Sequence, residues 1–75
     1  MLFEVVVVKL KAGGTRCLYL VNGITVVNDY DEGSEEFDFM FGQIARHLGA
    51  ELQDAGVVDE DDFWVRWPLN EKVEL

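Results

Sequence analysis

The stretch LFEVVVVKLKAGGTRCLYLVNGITVVNDY, residues 2–30, decides the fold. It holds three runs rich in β-branched and aromatic residues, Leu2 to Lys11, Thr15 to Val21 and Ile24 to Tyr30, separated by Gly13-Gly14 and Asn22-Gly23. Such runs fit a pleated, half-buried surface, and Asn-Gly or Gly-Gly supplies the positive φ that a two-residue hairpin turn needs. The pattern predicts a three-stranded antiparallel meander. If both loops hold two residues, Val21 faces Ile24, Tyr19 faces Val26 and Cys17 faces Asn28, while Val6, Val8 and Leu10 face Val21, Tyr19 and Cys17. One sheet face is then almost wholly apolar. The other carries Lys9, Lys11, Arg16 and Asp29 at one end and Phe3, Val5, Val7, Leu18, Leu20 and Val27 elsewhere, too apolar to stand fully in water.

Downstream of the meander the period changes. Ser34 suits a helix N-cap, and Glu35 and Glu36 suit the positive end of the helix dipole. Phe37, Phe41, Ile44, Leu48 and Leu52 recur at spacings of three and four, with Met40 and Ala45 beside them, which predicts one helix laid on the apolar sheet face. Because Leu52 continues the stripe, the helix is expected to end near Ala55, with Gly56 rather than Gly49 just past its end. Phe63 to Trp67 then reads as a fourth strand limited by Pro68. A strand reached through a helix joins its sheet by a right-handed parallel crossover, and the unbroken Val5 to Val8 run marks the first strand as central. The expected fold is α+β, with element order β-β-β-α-β and sheet order 4-1-2-3.

The chain has 75 residues, room for one domain spanning 1–75 and one core. Its hydrophobic content of 49% is enough to fold despite a net charge of −9, from fifteen acids against six bases. Nucleic acid and anionic membranes are repelled by such a field, whereas a basic protein surface is attracted. Cys17 is the one cysteine, so no internal disulfide forms and a reducing cytoplasm is expected. Met1 to Lys11 is interrupted by Glu4 and lacks a basic start, so it reads as a strand rather than a signal peptide. No apolar run approaches the roughly 20 residues of a membrane helix.

Twelve of the fifteen acids lie between Asp29 and Asp62, where Arg46 is the only Lys or Arg. Asp29, Asp31, Glu32, Glu35, Glu36 and Asp38 surround the expected helix start, and Asp59, Glu60, Asp61 and Asp62 precede the fourth strand. Closely spaced carboxylates can imitate a phosphate backbone and meet the Lys and Arg that bind one. An EF-hand does not fit, because Tyr30 and Phe39 fall at ligand positions when Asn28 opens the loop and Gly33 marks its turn. No cofactor or metal is expected. Nor does catalysis have material, since Cys17 lies on a buried face and His47 on the helix has no nucleophile paired with it. Trp64 alternates with Phe63, Val65 and Trp67 on the last strand and is the residue expected to stand exposed as a binding anchor.

In size, charge and build the chain resembles the small acidic inhibitors that bacteriophages encode against host nucleic-acid enzymes, among them many anti-CRISPR and anti-restriction proteins. That resemblance implies a protein that presents carboxylates where phosphates would sit. The expected partner is therefore a basic surface, as on a nucleic-acid-binding protein, met through Asp29 to Asp38, Asp59 to Asp62 and Trp64. The second reading is an interaction module, such as an antitoxin or accessory subunit, that forms a homodimer or binds through the apolar second sheet face.

Overall fold

The computed structural model describes residues 1–29, 35–70, 73 and 75. Strands β1 (Leu2–Lys9), β2 (Thr15–Val21) and β3 (Ile24–Asp29) form the meander, followed by α1 (Glu35–His47), β4 (Glu51–Asp59), α2 (Glu60–Arg66) and a 3₁₀ turn at Pro68–Asn70. The sheet runs β3-β2-β1-β4, with β4 parallel to β1, so the expected strand order and parallel pairing are present. Ser34, the expected N-cap, lies outside the described residues.

The fourth strand is not the segment expected. Helix α1 stops at a Schellman motif: Gly49 takes φ +66°, its N–H donates to Arg46 O at 3.1 Å, and Ala50 N–H donates to Ala45 O at 2.8 Å. Chain beyond that point is free to extend, and Glu51–Asp59 pairs along the whole of β1, from Leu2 opposite Glu51 to Lys9 opposite Asp59. A bulge at Ala55 shifts the register, and the Gly56 N–H there donates to Asp54 Oδ1 at 2.9 Å. Phe63 to Trp67, expected as a strand, is instead the end of a helix: Phe63 to Arg66 lie in α2 and Trp67 is its C-cap. Glu60, Asp61 and Asp62 fill its first turn and Arg66 its last, an order that suits the helix dipole at both ends.

The register of the meander also differs, through loop length. The Asn22-Gly23 turn is as expected, with positive φ at both residues and Val21 opposite Ile24. A bulge next to Thr25 then sets Tyr19 opposite Val27 and Cys17 opposite Asp29. The first turn is longer than two residues: it begins at Leu10, whose N–H donates to Gly14 O at 3.0 Å, and Lys9 faces Thr15. Phe3, Val5 and Val7 therefore face Val21, Tyr19 and Cys17. That shift of three positions exchanges the two faces of β1 relative to β2.

Each face now has its own core. On one, Phe3, Cys17 and Tyr19 meet Phe41 and Ala45 of α1, with Phe37 packed alongside. The Phe41 ring lies 4.8 Å from Phe3 and 5.2 Å from Tyr19, and Phe37 lies 4.5 Å from Tyr19. α1 packs its core side chains along this ridge, while Met40, Ile44 and Leu48, expected in or beside the buried stripe, face solvent. On the other face Val6, Val8, Leu18, Leu20 and Val58 meet Phe63 of α2 and Trp67 at its C-cap. Phe63 and Trp67 stand four residues apart on one helical side, rings 5.5 Å from each other. The buried Glu4 carboxylate on this face accepts from Trp67 Nε1 at 3.3 Å.

The 3₁₀ turn after α2 is fastened by the Asn70 side chain. Asn70 is 2% exposed; its Nδ2 donates to Gly23 O at 2.6 Å and to Trp67 O at 3.1 Å, and its Oδ1 accepts from Thr25 N at 2.7 Å. The Asn70 amide thus clasps the β2–β3 hairpin to the layer that α2 forms. Removing it leaves buried backbone groups without partners, so Asn70→Ala is expected to lower unfolding free energy by about 2 kcal/mol. Urea denaturation measures this, and an unchanged midpoint would contradict the clasp.

Candidate functional site

Strands β1, β3 and β4 run in the same direction, so their C-terminal ends at Lys9, Asp29 and Asp59 share one end of the sheet. The first hairpin turn lies at that end too. Helix α1 sets out from it after β3, and α2 sets out from it after β4. The topology thereby gathers the acids of two helix N-termini: Glu35, Glu36 and Asp38 in α1, and Asp59, Glu60, Asp61 and Asp62 around the start of α2. All are exposed except Glu60, which is half-buried. The edge strands that lead into them are three strand spacings apart, about 14 Å, and the helices stand on opposite faces. Carboxylates therefore frame this end of the molecule rather than form one continuous ridge.

The positions of the remaining expected site residues vary. Asp29 ends β3, and its side chain lies outside the described part of the structure, as do Asp31 and Glu32 entirely. Trp64 is half-buried against the α2-side core, its ring 5.0 Å from Phe63, so it is not the free anchor expected. Helical geometry is the reason. In a strand Trp64 would alternate away from Phe63, whereas in α2 the outward position falls to Val65, 78% exposed. Phe39, off the apolar stripe in the sequence, is 69% exposed. Cys17 is buried, as expected, and among the described residues no three His, Cys, Asp or Glu side chains gather as metal ligands.

Two of the acids are engaged by neighbours. Asp61 Oδ1 lies 2.7 Å from Lys11 Nζ of the first turn, and this hydrogen bond and the negative charge raise the Lys11 pKa above its ordinary value. Both side chains are well exposed, so the pair orients the turn more than it stabilises the fold. Asp38 accepts a hydrogen bond from the Tyr19 hydroxyl. The Tyr19 ring is fully inaccessible, while its hydroxyl reaches the rim of α1 where Asp38 is open to water. Burial, and then the hydrogen bond to Asp38, pushes the phenol far above its usual value near 10.

With Leu52 in β4 rather than in α1, the site gains a further feature. A groove of about 500 Å³ runs between α1 and β4, with Phe39, Gly42, Ala45, Ala50 and Leu52 along it and Asp38 at the rim. The signal for it lies in Gly49 and in the β-branched pair Val57-Val58, which end a helix and propose a strand. The apolar second sheet face expected from the sequence is divided by the register shift: Phe63 and Trp67 cover Leu18 and Leu20, whereas Phe3, Val5, Val7 and Val27 lie on the side that α1 packs against. No protein-family model, curated protein or solved structure matches this chain.

The Tyr19 to Asp38 bond links core to acidic end and gives a pH signature. A phenol whose folded pKa is raised contributes nothing to pH dependence below the unfolded value, and stability falls as pH climbs past about 10, because only the unfolded chain releases the proton. Tyr19→Phe is expected to cost about 1 kcal/mol at neutral pH and to flatten the alkaline decline. Denaturant midpoints of both proteins between roughly pH 8 and pH 11 measure this; equal alkaline slopes would contradict it.

Proposed function

We propose that the protein binds and blocks a basic surface of a partner protein, of the kind that otherwise holds nucleic acid, through the acidic end of its sheet. The observation that carries this reading is that both helices set out with exposed acids in or just before their first turns, Glu35, Glu36 and Asp38 in α1 and Asp59, Asp61 and Asp62 at α2. Carboxylates placed there draw Lys and Arg from the distance of a Debye length, about 8 Å at physiological salt, and repel nucleic acid itself. The resemblance in size and charge to phage inhibitors of nucleic-acid enzymes supports the same reading, as does the scarcity of nucleophiles for a catalytic role. Among the described residues no helix is long and apolar enough to cross a membrane. A reducing cytoplasm, where Cys17 stays a thiol, is the compartment this reading assigns.

The second reading, association through the apolar second sheet face, has less open surface to draw on, since Phe63 and Trp67 pack on Leu18 and Leu20. Partner capture from a bacterial lysate on the immobilised chain tests the first. The captured protein is expected to be displaced by duplex DNA or RNA, and its affinity to fall about tenfold or more as salt rises from roughly 50 to 200 mM. Converting Asp59, Glu60, Asp61 and Asp62 to amides, together with the acids from Asp29 to Glu36, is expected to abolish capture. Undiminished binding by that variant would refute the proposal.

A further inference from the structure

The two edges of the sheet are unlike. Strand β3 is six residues long and bulged, and the Thr25 N–H on it is held by Asn70. Strand β4 is nine residues long and pairs with β1 on one side, and among the described residues no strand lies beyond it. An edge of that length presents backbone N–H and C=O groups as a template for another strand. On the α1 side of the sheet its apolar residues Leu52 and Val57 are 50% and 61% exposed.

Helix α1 stands beside this edge without closing on it. At Gly42 the helix has no side chain, and a Cβ built there would lie 3.6 Å from Leu52 Cδ2, so the groove floor comes close to the helix backbone. A second hollow of about 190 Å³ continues the groove upward past Val5 and Phe41 to Asp54, sharing Asp38 and Leu52 with the first. An apolar trough between a helix and an open strand edge is the geometry in which a peptide adds as a further strand, with backbone bonds giving affinity and alternate side chains entering the trough.

We infer that the groove between α1 and β4 receives an extended basic segment of a partner protein, which joins the sheet as a fifth strand beside β4. Charge selects the occupant. Glu51, Asp54 and Asp59 lie along β4 and Asp38 on the helix rim, against Arg46 at the lower end, in a chain of net charge −9. A second copy is disfavoured by the same charges, for antiparallel pairing of β4 with itself about Ala55 sets Glu51 opposite Asp59 of the other copy at both ends. The inference deepens the proposed function, since the partner is again cationic, but it uses side chains other than Glu60, Asp61 and Asp62 and stands or falls apart from them.

The test is fluorescence anisotropy on the full chain with a capped, labelled peptide, Lys-Val-Lys-Leu-Lys-Val-Lys. Saturable binding is expected, with none for the peptide bearing Glu at every Lys position. The peptide N-methylated at alternate residues, unable to pair with a strand edge, is expected to bind about tenfold more weakly or worse. Leu52→Lys is expected to weaken binding by a similar factor, while Ile44→Lys on another side of α1 leaves it unchanged. The triple variant E60Q/D61N/D62N is expected to stay within about twofold of the unaltered protein. No saturable binding, equal binding of the N-methylated peptide, or a folded Leu52→Lys protein that binds normally would each overturn the inference. So would a dimer in sedimentation that Leu52→Lys dissociates, since a second copy would then be the occupant. Loss of binding in the triple variant alone would overturn it and leave the acidic end as the binding surface.

Discussion

The structure depends on burying β1 from every side. Its residues Val5 to Val8 are apolar without alternation, so whichever way the strand lies, both of its faces carry hydrocarbon. β2 and β4 satisfy its two edges, and the two faces need two separate covers. α1 supplies one through Phe37, Phe41 and Ala45, and α2 supplies the other through Phe63 and Trp67. A chain this short achieves two covers by making each narrow. α1 touches the sheet along one ridge, and α2 is seven residues long, with Asn70 fastening the chain after it to the β2–β3 hairpin. Glu4, a carboxylate inside β1, is accommodated because Trp67 brings an indole N–H to it as well as a ring.

Much of this is legible in the sequence. β-Branched runs and the Asn22-Gly23 turn marked the meander, and the unbroken valines marked β1 as central, which with the handedness of a crossover was enough for the strand order. The misreadings have local causes. Leu52 falls four residues after Leu48, so it extends a helical stripe as readily as it begins a strand, and only the C-terminal geometry at Gly49 decides between them. Phe63 and Trp67 are two alternations apart in a strand and one turn apart in a helix, and a five-residue run of aromatic and β-branched residues carries no further period to separate the two. Besides the bulge next to Thr25, the remaining difference lies in the loop length at Gly13-Gly14. Its effect was large because an odd shift turns every side chain of a strand to the other face.

The acids serve the fold and leave a surplus. Glu35, Glu36 and Asp38, with Glu60, Asp61 and Asp62, occupy first turns where negative charge stabilises a helix. Helix dipoles account for where these residues sit, but two short helices do not require fifteen acids against six bases. Because parallel β1 and β4 and the meander's third strand all finish at one end, dipole-satisfying acids also become a concentrated surface field. The site residues legible in the sequence were those named by charge. The groove beside β4 was not, because it exists only once Glu51–Asp59 is a strand and its outer edge is open.

Strand β4 carries both the topology and the proposed groove, and backbone amide hydrogen exchange read by NMR tests it most directly. The account expects the amides of β1 to exchange slowest. Along β4 it expects alternate amides to be protected, with the alternation broken at Ala55 and Gly56, because one side of the strand bonds to β1 and the other faces water. Continuous protection from Leu52 through Ala55, as in a helix, or protection of every β4 amide, as in a strand paired on both sides, would contradict it.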